Sequence, residues 1–120
     1  MVRLFGPKVP RYRYEVDGRN ETFRIELDGL QVEAHTLLEA LKSYGIKFNL
    51  TILPYNNQTS VVQIKKYEDS KYFWLEDLGG DGSASVVDIH VERFELEMCA
   101  KQKLEIELKD GDVIIICPLV

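Results

Sequence analysis

One segment of this chain repeats with the period of a helix, and almost everything else alternates with the period of a strand. Ala34, Leu37, Leu38, Leu41 and Tyr44 fall at i, i+3, i+4, i+7 and i+10, one helical stripe, with Glu33, His35, Glu39, Lys42 and Ser43 off it. Gly45 stands where a left-handed C-terminal cap would end the helix. A solitary amphipathic helix can cover one face of a sheet but not two. The sheet's second face therefore needs other strands or a partner.

Residues 11 to 17, Arg-Tyr-Arg-Tyr-Glu-Val-Asp, and 22 to 27, Thr-Phe-Arg-Ile-Glu-Leu, alternate strictly and read as a hairpin around Gly18 and Asn20, with Tyr12, Tyr14 and Val16 directed to the core. Beyond the helix, Ile46, Phe48, Leu50 and Ile52 resume alternation until Pro54, which cannot donate to a sheet ladder. Ser60 to Tyr67 and Lys71 to Glu76 form two β-rich runs around Glu68-Asp69-Ser70, a second hairpin. Asp77 to Ser85, with Gly79, Gly80 and Gly82, reads as an exposed loop. From Val86 to Met98 the apolar parity shifts once, which a bulge near Glu92-Arg93 would accommodate. Lys103 to Leu108 alternates again. Val113-Ile114-Ile115-Ile116-Cys117 is apolar on both faces and is expected to be a central strand. The reading is an α+β fold in a single domain, 1–120, a length typical of one domain.

The composition, 45% apolar and 29% charged, is that of a folded chain, and no segment reaches the roughly 20 apolar residues that span a bilayer. With no signal peptide at its start, the chain is expected to be soluble and intracellular, in cytoplasm or nucleus, away from membranes. A net charge of −5, from 15 basic and 20 acidic residues, argues against a broad phosphate-binding surface. Cys99 and Cys117 are too few and too far apart for a disulfide framework or a zinc knuckle, and are expected to be reduced, buried thiols. Asn20, Asn49 and Asn57 head Asn-x-Thr sequons that read as turn and strand residues.

A hairpin, a helix, a strand and a final apolar strand after a Gly-Asp turn is the element order of the β-grasp, or ubiquitin-like, fold. The helix Val32 to Gly45 resembles that of the small sulfur-carrier proteins, and Leu108-Lys109-Asp110-Gly111-Asp112-Val113-Ile114-Ile115-Ile116 is similar to their last turn and strand. The resemblance implies a β-grasp-like mixed sheet with one helix, elaborated by additional hairpins, with residues 54 to 103 as an insertion. Sulfur carriers need a Gly-Gly tail, and this sequence as given closes on Cys117-Pro118-Leu119-Val120, so carrier chemistry is not expected. What carries over is a bias toward protein binding, because fold alone does not fix function.

Among candidate chemical groups, His35 borders the helical stripe in solvent. His90 shares strand parity with Asp88 and Glu92, a carboxylate-oriented imidazole without an accompanying nucleophile, and is expected on a solvated strand face. Cys99 would need an electropositive surround to become a thiolate, which Lys101 and Lys103 only begin to provide. Asp77, Asp81 and Asp88 match no calcium-loop spacing, so no metal or cofactor is expected. Lys65-Lys66-Tyr67 and Lys71-Tyr72-Phe73-Trp74 interleave basic and aromatic residues. The expected function is a non-enzymatic protein-protein interaction module, an adaptor or a subunit of a larger assembly. Its surface would be an exposed strand of the 60 to 76 hairpin or of the 86 to 98 run, with Lys65, Lys71, Tyr72, Phe73 and Trp74 as contact residues. A homodimer through the same edge is also compatible. The alternative is nucleic-acid binding through Lys65, Lys66 and Lys71 with the aromatic cluster, a weaker reading because Glu68, Asp69, Glu76 and Asp77 offset the lysines.

Overall fold

The computed structural model describes residues 1–55, 71–79, 82–94 and 96–119. Its elements in chain order are β1 (Val2–Phe5), β2 (Tyr12–Val16), β3 (Thr22–Glu26), β4 (Leu30–Val32), α1 (Leu37–Phe48), β5 (Leu50–Pro54), β6 (Phe73–Asp77), β7 (Ala84–Arg93), β8 (Leu96–Cys99) and β9 (Val113–Pro118). The strands run β4-β1-β9-β7-β6-β5, with β8 paired to the second half of β7, and β2–β3 form a separate ribbon. β1 and β9 are parallel, and the other neighbours in the main sheet are antiparallel. This is an α+β architecture, with one helix among the described residues packed on a mixed sheet.

Thr36 starts α1 because its hydroxyl accepts the Glu39 N–H, while the Glu39 carboxylate accepts the His35 N–H. Two first-turn amides are satisfied by the chain leading to β9: Leu37 N–H donates to Ile106 C=O and Leu38 N–H to Leu104 C=O. That chain, Lys103 to Leu108, is therefore not the strand its alternation suggests; it is a run of turns that closes over the helix start. The helix continues one turn past Gly45 and ends at Asn49, whose φ of 55° is left-handed. Gly45 is a packing residue, since a Cβ there would stand 2.7 Å from the Leu50 carbonyl oxygen.

Leu37, Ala40, Leu41 and Tyr44 face Val2, Leu4, Val87, Ile89, Val91, Ile114 and Ile116 in one continuous core. Each buried Leu or Ile there contributes roughly 1.5–3 kcal/mol. β9 is interior, as expected, between β1 and β7, but only Ile114 and Ile116 are fully buried. On the sheet's second face Val113, Ile115 and Cys117 are half-buried. There Phe5 is buried beneath the guanidinium groups of Arg3 and Arg11, 5.1 and 5.5 Å from its ring centre, and Arg11 is clamped by both oxygens of Glu92. Arginine stems thus cover part of the face that no helix among the described residues covers.

The β2–β3 hairpin forms where expected, yet it is not core. Its register pairs Tyr12 with Glu26, Tyr14 with Arg24 and Val16 with Thr22. Opposed residues share a face, so the two apolar sets lie on opposite faces of the ribbon and neither builds an apolar surface. Tyr14 and Val16 are accordingly exposed. The hairpin that joins the sheet is β1–β4, with β2–β3 inserted between its arms. The 54 to 103 stretch is likewise no appendage, because β6 and β7 occupy interior positions in the sheet. Of the expected second hairpin, residues 60 to 70 lie outside the described residues; β6 is paired on both sides, by β5 and β7, and offers no free edge. Asp77 is buried at the end of β6 and Ala84 begins β7, so the glycine-rich loop is shorter than its composition suggests.

Candidate functional site

β7 is the strand from which a site is built. Its odd residues Val87, Ile89 and Val91 enter the core, which turns Asp88, His90 and Glu92 to the second face. The parity shift after Glu92 is a hairpin turn rather than a bulge: Arg93 pairs with Leu96, and Phe94 takes a left-handed φ of 50°. The turn folds β8 back so that Cys99 stands opposite His90 and Glu97 opposite Glu92. Ala100 N–H donates to Ile89 C=O, so the alternation of an antiparallel ladder makes His90–Cys99 a closely spaced, non-hydrogen-bonded pair.

His90 Nε2 lies 2.7 Å from Asp88 Oδ2, and Nδ1 lies 2.9 Å from Glu97 Oε1. Asp88, which shares strand parity with His90, thus orients the imidazole. Glu92, which shares the same parity, is held by Arg11 instead. Cys99 Sγ donates to Asp88 Oδ1 at 3.5 Å. Asp88, His90 and Cys99 are all half-buried, so the solvated face expected for His90 is not what surrounds it. Both ring nitrogens face carboxylates, and only the doubly protonated imidazole can donate to both. Cys117 faces Asp88 from β9, and both cysteines are free thiols, half-buried rather than buried. Burial first, then the charge of Asp88, pushes both thiols above their ordinary value. Cys99 is thus a neutral thiol, not an activated nucleophile.

The same turn creates an apolar surface. Phe94 is 92% exposed, Leu96 75% and Met98 44%. Among the described residues β8 pairs only with β7, so the Glu97 and Cys99 amides and carbonyls point outward from that edge.

The aromatic run expected to bind a partner is divided by strand alternation. Phe73 is wholly buried in the core, so it is no contact residue. Trp74 faces the other side, half-buried against Tyr55 with ring centres 6.4 Å apart. Tyr72 lies under Lys71, whose Nζ is 5.3 Å from its ring centre, and both are half-buried. Lys65 and Lys66 lie outside the described residues. His35 is exposed just ahead of the helix cap, as expected.

A second apolar feature is a groove of about 420 Å³ between α1 and β5, lined by Leu38, Leu41, Ile46, Leu50 and Ile52 with Lys42. β5 offers it little backbone. The Tyr55–Tyr72 bond sets the alternation so that Leu50, Ile52 and Pro54 turn their backbone groups outward. Leu50 C=O meets the helix at Gly45 and Pro54 has no N–H, which leaves Ile52.

No protein-family model, curated protein or solved structure matches this chain. No helix among the described residues is long and apolar enough to cross a membrane.

Proposed function

We propose that this chain is a non-enzymatic protein-binding module, an adaptor or assembly subunit, that contacts its partner through the tip and outer edge of the β7–β8 hairpin. The observation that carries this reading is Phe94. A left-handed backbone costs a residue with a side chain roughly 1–2 kcal/mol relative to glycine, and exposing a phenyl ring adds nothing to stability. Phe94 accepts both, beside Leu96 and Met98. Local strain combined with an exposed aromatic is what a binding residue tolerates and a structural one does not.

The partner contributes an extended segment that pairs along β8, apolar at alternate positions and basic opposite Glu97. A second copy of this chain fits less well, because β8 presents an acidic side chain where the partner needs a basic one, and the antiparallel register centred on Glu97 sets two carboxylates face to face. The parallel pairing of β1 with β9 under one helix supports the β-grasp resemblance and the binding bias it implies. The cluster around His90 offers no activated nucleophile, which favours binding over catalysis.

The test uses the wild-type chain, Phe94→Asn and Leu96→Lys as baits in native lysate, then isotherms with the purified prey. The expected result is a prey whose affinity falls about 30-fold or more with either variant, the size of an interface hot spot of about 2 kcal/mol, and which crosslinks to position 96. Equal retention of all prey by the three folded baits overturns the assignment. A doubled mass in light scattering that Leu96→Lys halves replaces the foreign partner with a second copy.

A further inference from the structure

Asp88 Oδ2 and His90 Nε2 stand 2.7 Å apart, joined by a hydrogen bond. A thiol from the facing strand points at the same carboxylate, and one donor atom from each of Asp88, His90 and Cys99 can be chosen so that all lie within 4.8 Å of one another. We propose that Asp88, His90 and Cys99 bind a single transition-metal ion of the zinc class, with Glu97 fixing the imidazole from behind and solvent filling the fourth position.

The chemistry of the donors selects the ion. Thiolate and imidazole are soft and borderline ligands that favour Zn²⁺ and its analogues over Mg²⁺ or Ca²⁺, and one carboxylate completes a charge-neutral set around a divalent ion. Tetrahedral zinc with nitrogen and oxygen near 2.1 Å and sulfur near 2.3 Å places its donors about 3.3–3.7 Å apart. Cys99 Sγ stands 3.5 Å from Asp88 Oδ1, within that range, while His90 is contacted by the other carboxylate oxygen, Oδ2, so the carboxylate turns to present one oxygen to the ion. The Asp88–His90 separation has to open by about 0.6 Å when the ion displaces the proton, a change within reach of a χ2 adjustment at Asp88. Glu97 accepts from Nδ1 at 2.9 Å, the outer contact that fixes a ligating histidine's tautomer and ring plane. Rigid elements hold the set, since Asp88 and His90 sit on β7, which pairs with β9 on one side and with β6 and β8 on the other, and Cys99 is locked in register with His90.

Binding converts a thiol to a thiolate and removes the Nε2 proton, so up to two protons are released per ion, and affinity rises with pH. The ligands escape a motif search because they stand at i, i+2 and i+11 across a turn that carries no glycine.

The experiment is a titration of the reduced full-length chain with Co²⁺, read in the near-ultraviolet thiolate charge-transfer band and the visible bands of tetrahedral cobalt, followed by displacement with Zn²⁺. The expected result is one equivalent bound and fully displaced. Cys99→Ser abolishes the charge-transfer band, and His90→Gln removes the visible bands. Glu97→Gln keeps the band and weakens binding roughly 10–100-fold, the usual effect of losing the group behind a histidine ligand. Cys117→Ser leaves both spectrum and affinity unchanged. An independent reading, which needs no variant to fold, is alkylation mapped by mass spectrometry: Zn²⁺ protects Cys99 and leaves Cys117 as reactive as before. Absence of saturable binding at micromolar metal, a band that survives Cys99→Ser, or protection of Cys117 instead of Cys99 overturns the proposal.

Discussion

Replacing Gly45 by alanine sets helix propensity against packing, and the outcome tests how α1 is seated. Alanine is favoured over glycine inside a helix by about 0.8–1.0 kcal/mol, so propensity alone predicts stabilisation. A methyl at Gly45, however, would stand 2.7 Å from the Leu50 carbonyl oxygen, closer than real Cβ contacts come. The obstacle is backbone, and Leu50 is fixed at the start of β5 by its pairing with Asp77. Either the helix or the strand has to shift by several tenths of an ångström, and overpacking of this kind costs typically about 1–3 kcal/mol. With the obstacle unable to rotate away, the upper part of that range applies and the net loss is about 1–2 kcal/mol. For a chain of this length, with an unfolding entropy of about 0.25 kcal/mol/K, the midpoint falls by roughly 4–8 °C. Urea and thermal unfolding followed by circular dichroism measure it, with Ser43→Ala as a control in which no backbone stands in the way of the methyl group: propensity is offset only by loss of the exposed Ser43 hydroxyl bond to the Glu39 carbonyl, and stability changes by no more than a few tenths of a kcal/mol. A Gly45→Ala protein as stable as the parent, with an unchanged urea slope, would refute the close approach of α1 to β5.

Tyr44→Phe removes the hydroxyl that accepts the Lys8 N–H at 3.0 Å and costs about 1–2 kcal/mol by leaving that donor without its partner, measurable by urea unfolding. Burial, against the Lys8 hydrogen bond, pushes the Tyr44 hydroxyl above its ordinary 10.0, so its contribution is complete below pH 10 and lost as pH rises through the folded value; an alkaline limb in a stability profile that Tyr44→Phe abolishes is the expected result. Asp112 behaves oppositely: burial raises its carboxyl, but the two Arg93 contacts, at 2.8 and 2.7 Å, and the Lys109 N–H outweigh it and hold it below 3.8. Its stabilisation is present above pH 3.8 and lost as pH falls through the folded value, and Asp112→Asn flattens that part of the acid limb. Thr36→Ala costs about 1 kcal/mol through loss of the helix cap, seen as a lower midpoint with the same sheet signal. Phe94→Asn raises stability by about 0.5–1 kcal/mol while weakening partner binding, because asparagine tolerates the left-handed turn that phenylalanine does not.

The helix was legible because Leu37, Leu41 and Tyr44 repeat for more than two turns, long enough for period 3.6 to exclude period 2. Its end was not, because the glycine that reads as a cap is required by contact with Leu50, while the left-handed position is filled by Asn49. Ile114 and Ile116 announced an interior strand by their apolar density. β1 and β4 are four and three residues long, too short for any alternation to register. Tyr12 and Tyr14 failed differently. Each arm of that hairpin alternates cleanly, but which faces coincide depends on the sum of paired residue numbers, and the five-residue loop 17–21 sets a parity that opposes the two apolar sets. The Tyr72-Phe73-Trp74 run could not be exposed as a unit, since consecutive strand residues point to opposite faces.

A single misreading hid the candidate sites. Asp88 and His90 were visible as a pair because they are two apart on one strand. Glu97 and Cys99 were not, because the sequence marks no turn between Arg93 and Leu96; turns of this geometry favour asparagine and glycine, and Phe94 gives no such signal. Read as a bulge, the segment runs on as one strand and carries Cys99 far from His90. Read as a turn, it doubles back, brings thiol and second carboxylate to the imidazole, and leaves Phe94, Leu96 and Met98 at an outer edge. The metal cluster and the apolar tip are two consequences of one backbone reversal, and they are separable. Phe94→Gly keeps the left-handed turn, so cobalt binding through Cys99 survives it, while the ring that carries the partner contact is gone. A variant of Phe94 that lost both would mean that the ring, rather than the turn, holds β8 in register.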